Sequence, residues 1–390
     1  MPHSPQPDNP PTHALPTDYE FRCRPVDQII DLAEKWQALE SRADPKFMLS
    51  WTWICCWLKQ VGNDAFLLEG KLGDETVLLG LLARHEEHRH GFVRARQLHL
   101  HATGLPDKDQ ICIEYNGFLT GQNMRPQLLT AAVDYLRRDA ETKKILGTWD
   151  ELVIRNAPAP DRVAFQHTGL PQRVIALDRC YATDLAAIRE QGKSFLDSLS
   201  KNSRAQIRKS MRLYEERGAL CLERAKSAQE AKQWFWDLAP LHEARWLEKA
   251  HNHRPAHQND AFTGFHEDLI DECWPLGQIE MVRIRCGDKA IGYLYNFLYR
   301  DRVYFYLSAL SYDNNPRIKP GMVCHALCIQ DHLEKGAVIY DFMAGDQRYK
   351  ASLGEVSEDF ASIALQQPRV TLTLERWLTS FKHWIIRQSR

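Results

Sequence analysis

A carboxylate, a phenol and an ammonium lie close together in the stretch YDFMAGDQRYKASLG: Asp341, Tyr349 and Lys350. A carboxylate at a strand end can accept a proton, a tyrosine hydroxyl can give one up, and a lysine ammonium can hold negative charge as it develops. Asp341 can equally be a structural hydrogen-bonding group. Upstream, Arg317 and Lys319 stand just before Gly321 and Met322, where a helix is predicted to open. A helix start presents free N–H groups and the positive end of the dipole. It can hold a phosphate or pyrophosphate, or it can be a charged surface turn. Lys201, Arg204, Arg208 and Arg212 fall three to four residues apart, along one helical stripe. Arginine forks match phosphate, so Arg204 and Arg208 are candidates for contact with an acidic ligand, the alternative being a solvated face. DKDQICIEYN (Asp107 to Asn116) offers Glu114 and Asn116, as ligand contacts or as parts of a structural loop. His99 and His101 share a strand face, but no third ligand follows at a recognisable spacing, and no metal is expected.

These groups need elements to place them. Val303 to Leu310 is aromatic and β-branched and predicts a strand. A turn-rich loop with Asn314, Asn315, Pro316 and Pro320 follows. The helix from Gly321 to about Lys335 stops at Gly336, a good residue for the position after a helix end. Val338 to Phe342 is the next strand. Parallel strands require such a crossover. Before it, Gln278–Arg285, Ala290–Tyr299 and Val303–Leu310 predict a three-strand meander with tight turns between them. The first half carries the same order: helices at 27–43 and 49–58, strands at 65–72, 76–84 and 93–101, a further strand at 111–119, a helix from Arg125 to Arg138 and a strand at 152–155. Asn156 to Asp161 (NAPAPD) reads as a linker. Further helices are predicted at 182–190, 203–217, 229–249 (kinked or split at Pro240) and 261–272. The repeated order predicts two copies of one mixed α/β fold rather than one large sheet.

The chain has 390 residues, enough for two domains. Lysine and arginine number 50 against 51 acids, so no global field draws it to DNA. Ten cysteines without CxxC spacing read as reduced thiols. No apolar leader and no spanning run occur, which points to a cytoplasmic protein. Residues 1–17 are proline-rich and are expected to be a disordered leader. Leu374, Trp377, Leu378, Phe381, Trp384 and Ile385 share a helical face with Arg376, Lys382, Arg387 and Arg390 elsewhere. Such a helix can pack on the second domain or touch an anionic membrane.

The order of meander, loop, helix and strand is that of the acetyl-CoA-binding core of GNAT acyltransferases. Phe195 to Gly218, Phe265-His266, Lys319 to Gly321 and Tyr340 to Gly354 resemble the CelD-like GNAT family of cellulose biosynthesis. The layout is similar to the FemX-type tandem-GNAT aminoacyltransferases. The resemblance implies a leader (1–17), a degenerate acceptor-side domain (18–160), an acyl-CoA-binding domain (161–370) and a C-terminal amphipathic helix (371–390). It implies acetyl-CoA or another acyl-CoA as co-substrate, with Arg317, Lys319, Gly321 and Met322 at the pyrophosphate. A Phe-Lys dipeptide of the FemX-type proteins places Lys350 on the acyl carbonyl, and Tyr349 resembles the acid of many GNAT enzymes or packs like that Phe. The first-half helix begins GQNMRP, without lysine and with a proline, and is unsuited to a pyrophosphate. The acceptor is then an amine or hydroxyl, such as a saccharide or envelope precursor, held between the domains. No G-x-S-x-G motif or cysteine nucleophile suggests a covalent intermediate. The alternatives are aminoacyl-tRNA as donor, or a silent scaffold in a polysaccharide-assembly complex.

Overall fold

The computed structural model describes residues 19–121, 125–247 and 256–378. The expected leader and residues 379–390 lie outside them. The long helix predicted at 229–249 ends at Asp237, and a second begins at Ala239, so the chain divides beside Pro240. Proline cannot donate to the preceding turn.

Thirteen strands form one mixed sheet: β1 (Tyr19–Pro25), β2 (Ala65–Leu72), β3 (Glu75–Arg89), β4 (Val93–Leu100), β5 (Leu119–Thr120), β6 (Glu151–Pro158), β7 (Gln172–Asp184), β8 (Leu220–Arg224), β9 (Ile279–Cys286), β10 (Lys289–Tyr299), β11 (Arg302–Leu310), β12 (Ile339–Ala344) and β13 (Glu355–Gln366). Their order is β1-β2-β3-β4-β6-β13-β7-β12-β11-β10-β9-β8, with β5 on β3. Each half is a meander that ends in a parallel pair, β4 with β6 and β11 with β12. The expectation of two separate sheets is thereby corrected. β7 follows the first half in the chain but pairs with β12, and β13 follows the second half but pairs with β6. β7 and β13 pair with each other, so an exchange of strands welds the halves.

Helices cover the sheet in three groups. Trp51–Val61 opens at Ser50, whose hydroxyl accepts the Trp53 N–H, and closes at Gly62 with φ of 64°. Its Trp53 packs edge-on against Phe265 and Phe297 of the second half, and Phe47 stacks on Phe297 at 4.5 Å. Trp53, Phe47 and Phe297 are fully buried. Each such side chain stabilises by roughly 1.5–3 kcal/mol, so one core spans both halves. A second core lies under Arg125–Arg138 and Ala159–Gln166 in the first half. A third lies under Lys201–Glu215 and Pro320–Glu334 in the second.

Three local expectations change. NAPAPD is no linker: Asn156 to Pro158 complete β6, and Pro160 sits in the first turn of Ala159–Gln166, where its missing N–H costs nothing. Ile111 closes a short helical turn, and residues 112–118 are a loop and not a strand. Cys112 and Tyr115 have φ of 43° and 52°, and Asn116 N–H donates to Asn156 O rather than along a ladder. The described part of the C-terminal helix, 370–378, buries Leu372 against Val93 and Ala95 of the first half and not in the second-half core.

Candidate functional site

The parallel pair β11–β12 holds for three residues, Arg302–Tyr304 against Ile339–Asp341, and then parts. Asp341 is fully buried at the parting point. Its carboxylate accepts from the Tyr115 hydroxyl (2.6 Å), Arg302 Nη1 (3.0 Å) and the Met343 N–H (2.8 Å). Met343 has φ of 58°, a left-handed conformation that a β-strand residue rarely adopts, and the Asp341 bond holds it there. Three donors on one carboxylate make Asp341 the residue that positions this strand end.

Glu114 and Tyr115 are adjacent in the first-half loop, and both grip β12. While Tyr115 reaches Asp341, Glu114 Oε2 accepts the Ala344 N–H at 2.7 Å. Lys350, on the short helix Arg348–Leu353, is buried. Its Nζ donates to the Met343 carbonyl at 3.4 Å and to that of Ala344. Glu114 and Lys350 therefore converge on one turn, from opposite halves of the chain. Burial pushes the Glu114 carboxyl up to about 7, against the pull of the Ala344 N–H and the Lys350 ammonium. Burial also pulls the Lys350 ammonium down, against the attraction of Glu114. A carboxyl that titrates near neutral pH beside a buried ammonium can take a proton and steady an oxyanion in one place.

His325 lies near Lys350. It is buried, and burial with the Lys350 charge holds its imidazole down to about 3, so it is neutral. Tyr349 stacks on His325 at 5.4 Å and 17°, and its ring also meets Phe342. Cys180 is also near, but burial, Asp341 and Glu114 raise its thiol far above the usual range. A neutral buried thiol is a poor nucleophile.

A cleft of about 400 Å³ abuts this cluster, lined by Asp44, Lys46, Leu49, Tyr115, Pro158 and Glu358 among others. Tyr115 forms the shared wall. Lys46 stands 6.0 Å from the Tyr115 ring centre, and burial and then Arg302 lower its ammonium pKa. Sequence reasoning passed over Tyr115, Arg302, Lys46 and His325, and no local pattern marks Lys46 or Arg302.

The other candidates lie apart from this cluster. Asn116 is fully buried, its amide N donates to Leu100 O, and its oxygen meets His101 Nδ1 at 3.0 Å. It therefore faces the first-half core, not a ligand. Arg204 and Arg208 both reach Asp197, at 3.5 and 3.1 Å, in a surface ion-pair group. Arg317 is exposed before Pro320–Glu334, and Met322 is buried within it. The Lys319 N–H donates to Ser210 Oγ, Val323 N–H bonds Lys319 O, and Pro320 has no N–H. Gly321 and Met322 supply the remaining first-turn donors, and a Cβ on Gly321 would meet Leu310 at 3.0 Å. Among the described residues, Glu280, Cys328 and His332 could together approach an ion. Glu280, however, already accepts from Arg224, from Asn296 at 3.0 Å and shares a 2.8 Å contact with His332.

Residues 201–351 match the family model described as Acetyltransferase (GNAT) domain. The match is under half of the chain and takes in the whole crossover, Lys350 included. No curated protein matches the chain. The crystal structure of FemX superposes with a TM-score of 0.57 at 11% identity, covering 86% of this chain and 96% of that one. A conserved protein of unknown function from Bacteroides thetaiotaomicron gives 0.54 at 8% identity, with 86% and 97% covered. L-PGS from Bacillus licheniformis gives 0.50 at 11%, with 87% and 94% covered. At such identities these likenesses show the fold. The GNAT match and the mixed sheet together support an acyltransferase, and the parted β11–β12 pair sits inside the GNAT segment. Among the described residues no helix is long and apolar enough to cross a membrane.

Proposed function

We propose that this chain moves an acyl group, acetyl in the simplest case, from acyl-CoA held by the GNAT segment to an amine or hydroxyl acceptor in the cleft between the halves. The observation that carries the reading is the convergence of Glu114 and Lys350 on the turn after β12. Glu114 takes the proton as the acceptor attacks the thioester carbonyl. The Lys350 ammonium steadies the oxyanion of the tetrahedral intermediate, which collapses with loss of the CoA thiolate. Asp341 holds Tyr115 and the Met343 turn in place. Arg317, Lys319 and the N–H groups of Gly321 and Met322 meet the donor pyrophosphate. An acceptor of the saccharide or envelope-precursor type fits a cleft that carries Lys46, Asp44 and Glu358. Direct attack accords with the absence of an activated thiol at Cys180.

Calorimetric titration with acetyl-CoA tests the donor, and release of free CoA thiol tests turnover. Wild type should bind acetyl-CoA. Lys350→Met should bind it equally and lose at least about a hundredfold in CoA release, the scale of one lost oxyanion donor. No heat with acetyl-CoA, together with transfer from aminoacyl-tRNA, would replace the donor by the one the FemX likeness suggests. No binding of either would leave a scaffold.

A further inference from the structure

Among the described residues, the helix that follows β13 is fastened to the body by one face. Leu372 is buried against Val93 and Ala95. Glu375 receives Arg89 in a two-pronged ion pair, 2.8 Å on each oxygen, and Arg89 in turn holds the buried Glu151 at 2.9 and 2.8 Å. The opposite face carries Val370, Leu374, Trp377 and Leu378, which are 86, 50, 75 and 50% exposed. Their spacing of four, three and one sets them along one stripe. Pro368 and Arg369 border the same shallow hollow.

Positive charge predominates around this stripe. The helix's one carboxylate, Glu375, is turned inward and neutralised by Arg89. Arg94, Arg96 and Arg369 line the next hollow, with side chains 69, 42 and 47% exposed; Arg96 and Arg369 share the buried Asp150, and Arg94 pairs with Glu86, which is 36% exposed. The sequence beyond 378 repeats the pattern: Phe381, Trp384 and Ile385 alternate with Lys382, Arg387 and Arg390, and no acid occurs after Glu375. An apolar stripe with an exposed tryptophan, on a helix whose one carboxylate is turned inward and whose other charges are cations, suits the headgroup boundary of an anionic bilayer. A second copy of the same face would set cations against cations.

We infer that the helix at 370–378 docks this protein on an anionic lipid surface, with Leu374, Trp377 and Leu378 entering the boundary between headgroups and acyl chains. This docking is independent of the donor and acceptor of the reaction.

Sedimentation of the full chain with phosphatidylcholine vesicles, with and without phosphatidylglycerol, tests it. The chain should pellet with the phosphatidylglycerol vesicles and be released by high salt. The Leu374→Asp/Trp377→Asp variant should bind about tenfold more weakly or worse, with melting temperature and CoA release unchanged. Wild type that stays in the supernatant with both vesicle types overturns the inference, as does a variant that binds as well as wild type. A concentration-dependent dimer in ultracentrifugation, broken by the same variant and without vesicle binding, assigns the face to a second copy and also overturns it.

Discussion

In the first half β4 and β6 run parallel for three residues and part; in the second, β11 and β12 do the same. The two openings are used differently. The first is bridged by its own chain: Asn116 donates to Leu100 O at the end of β4, Asn116 N–H donates to Asn156 O, and Asn156 Nδ2 reaches back to Ile113 O at 2.9 Å. Asn156 has φ of 48°, and Met343 has 58° just past the parting point in the second half. The second opening is not bridged by the loop that leads from β11. Ser311 N–H turns away to Ile291 O, and Asp313 pairs with Arg217. The loop that plugs the first opening also supplies Glu114 and Tyr115 to the edge of the second. One loop thus fills one opening and borders the other.

The sharpest way to break this contrast is at Glu114. Glu114→Gln keeps the shape and an acceptor for the Ala344 N–H, but it cannot take a proton. CoA release should fall by about 10²- to 10⁴-fold, the span of one general base. In wild type kcat/KM should rise with pH through about 7, because Glu114 must be ionised to act. A pH profile in Glu114→Gln with the same limb would remove Glu114 from the chemistry. The plug comes second. Asn116→Leu strands Leu100 O and His101, and should cost about 1–3 kcal/mol of stability, measured by denaturant unfolding, while acetyl-CoA affinity is unchanged. A large loss of affinity would show that the first opening binds donor after all. The smallest effect is expected at the helix start. Lys319→Ala and Arg317→Ala each remove an exposed or half-buried cation from the pyrophosphate, and each should raise the acetyl-CoA Kd by about two- to tenfold, the scale of one surface charge. Unchanged Kd in both would move the donor elsewhere.

Much of the second half was legible in its sequence because its signals are local. The helix expected at Gly321 to Lys335 runs from Pro320 to Glu334, and the meander strands lie within a residue of their predicted ends. The central strands were not legible. Val174, Ile175 and Leu177 of β7 are exposed on both faces of the strand, so no alternation marks it. Its partner β13 lies far along the chain, beyond the reach of any window. The segment at 111–118 reads as a strand because Ile111, Ile113 and Tyr115 alternate, yet Ile111 enters the core from a short helical turn and the other two from irregular backbone. Lys350 and Asp341 were visible beside an aromatic strand, and Glu114 as one carboxylate in an unusual loop. That Glu114 and Lys350 meet depends on the strand exchange, which only the assembled sheet reveals.

The exchange also dictates an order of assembly. Ile363 of β13 pairs with Ile154 of β6, more than two hundred positions earlier. During synthesis the first half reaches β6 long before its neighbour exists, and the Ile154 edge must wait unpaired until residue 366 has left the ribosome. Closing so long a loop is slow, and waiting strand edges invite association between chains. A chain truncated before Glu355 would therefore lose the first half as well as the second, and fragments of the two halves should recover their structure when mixed rather than apart.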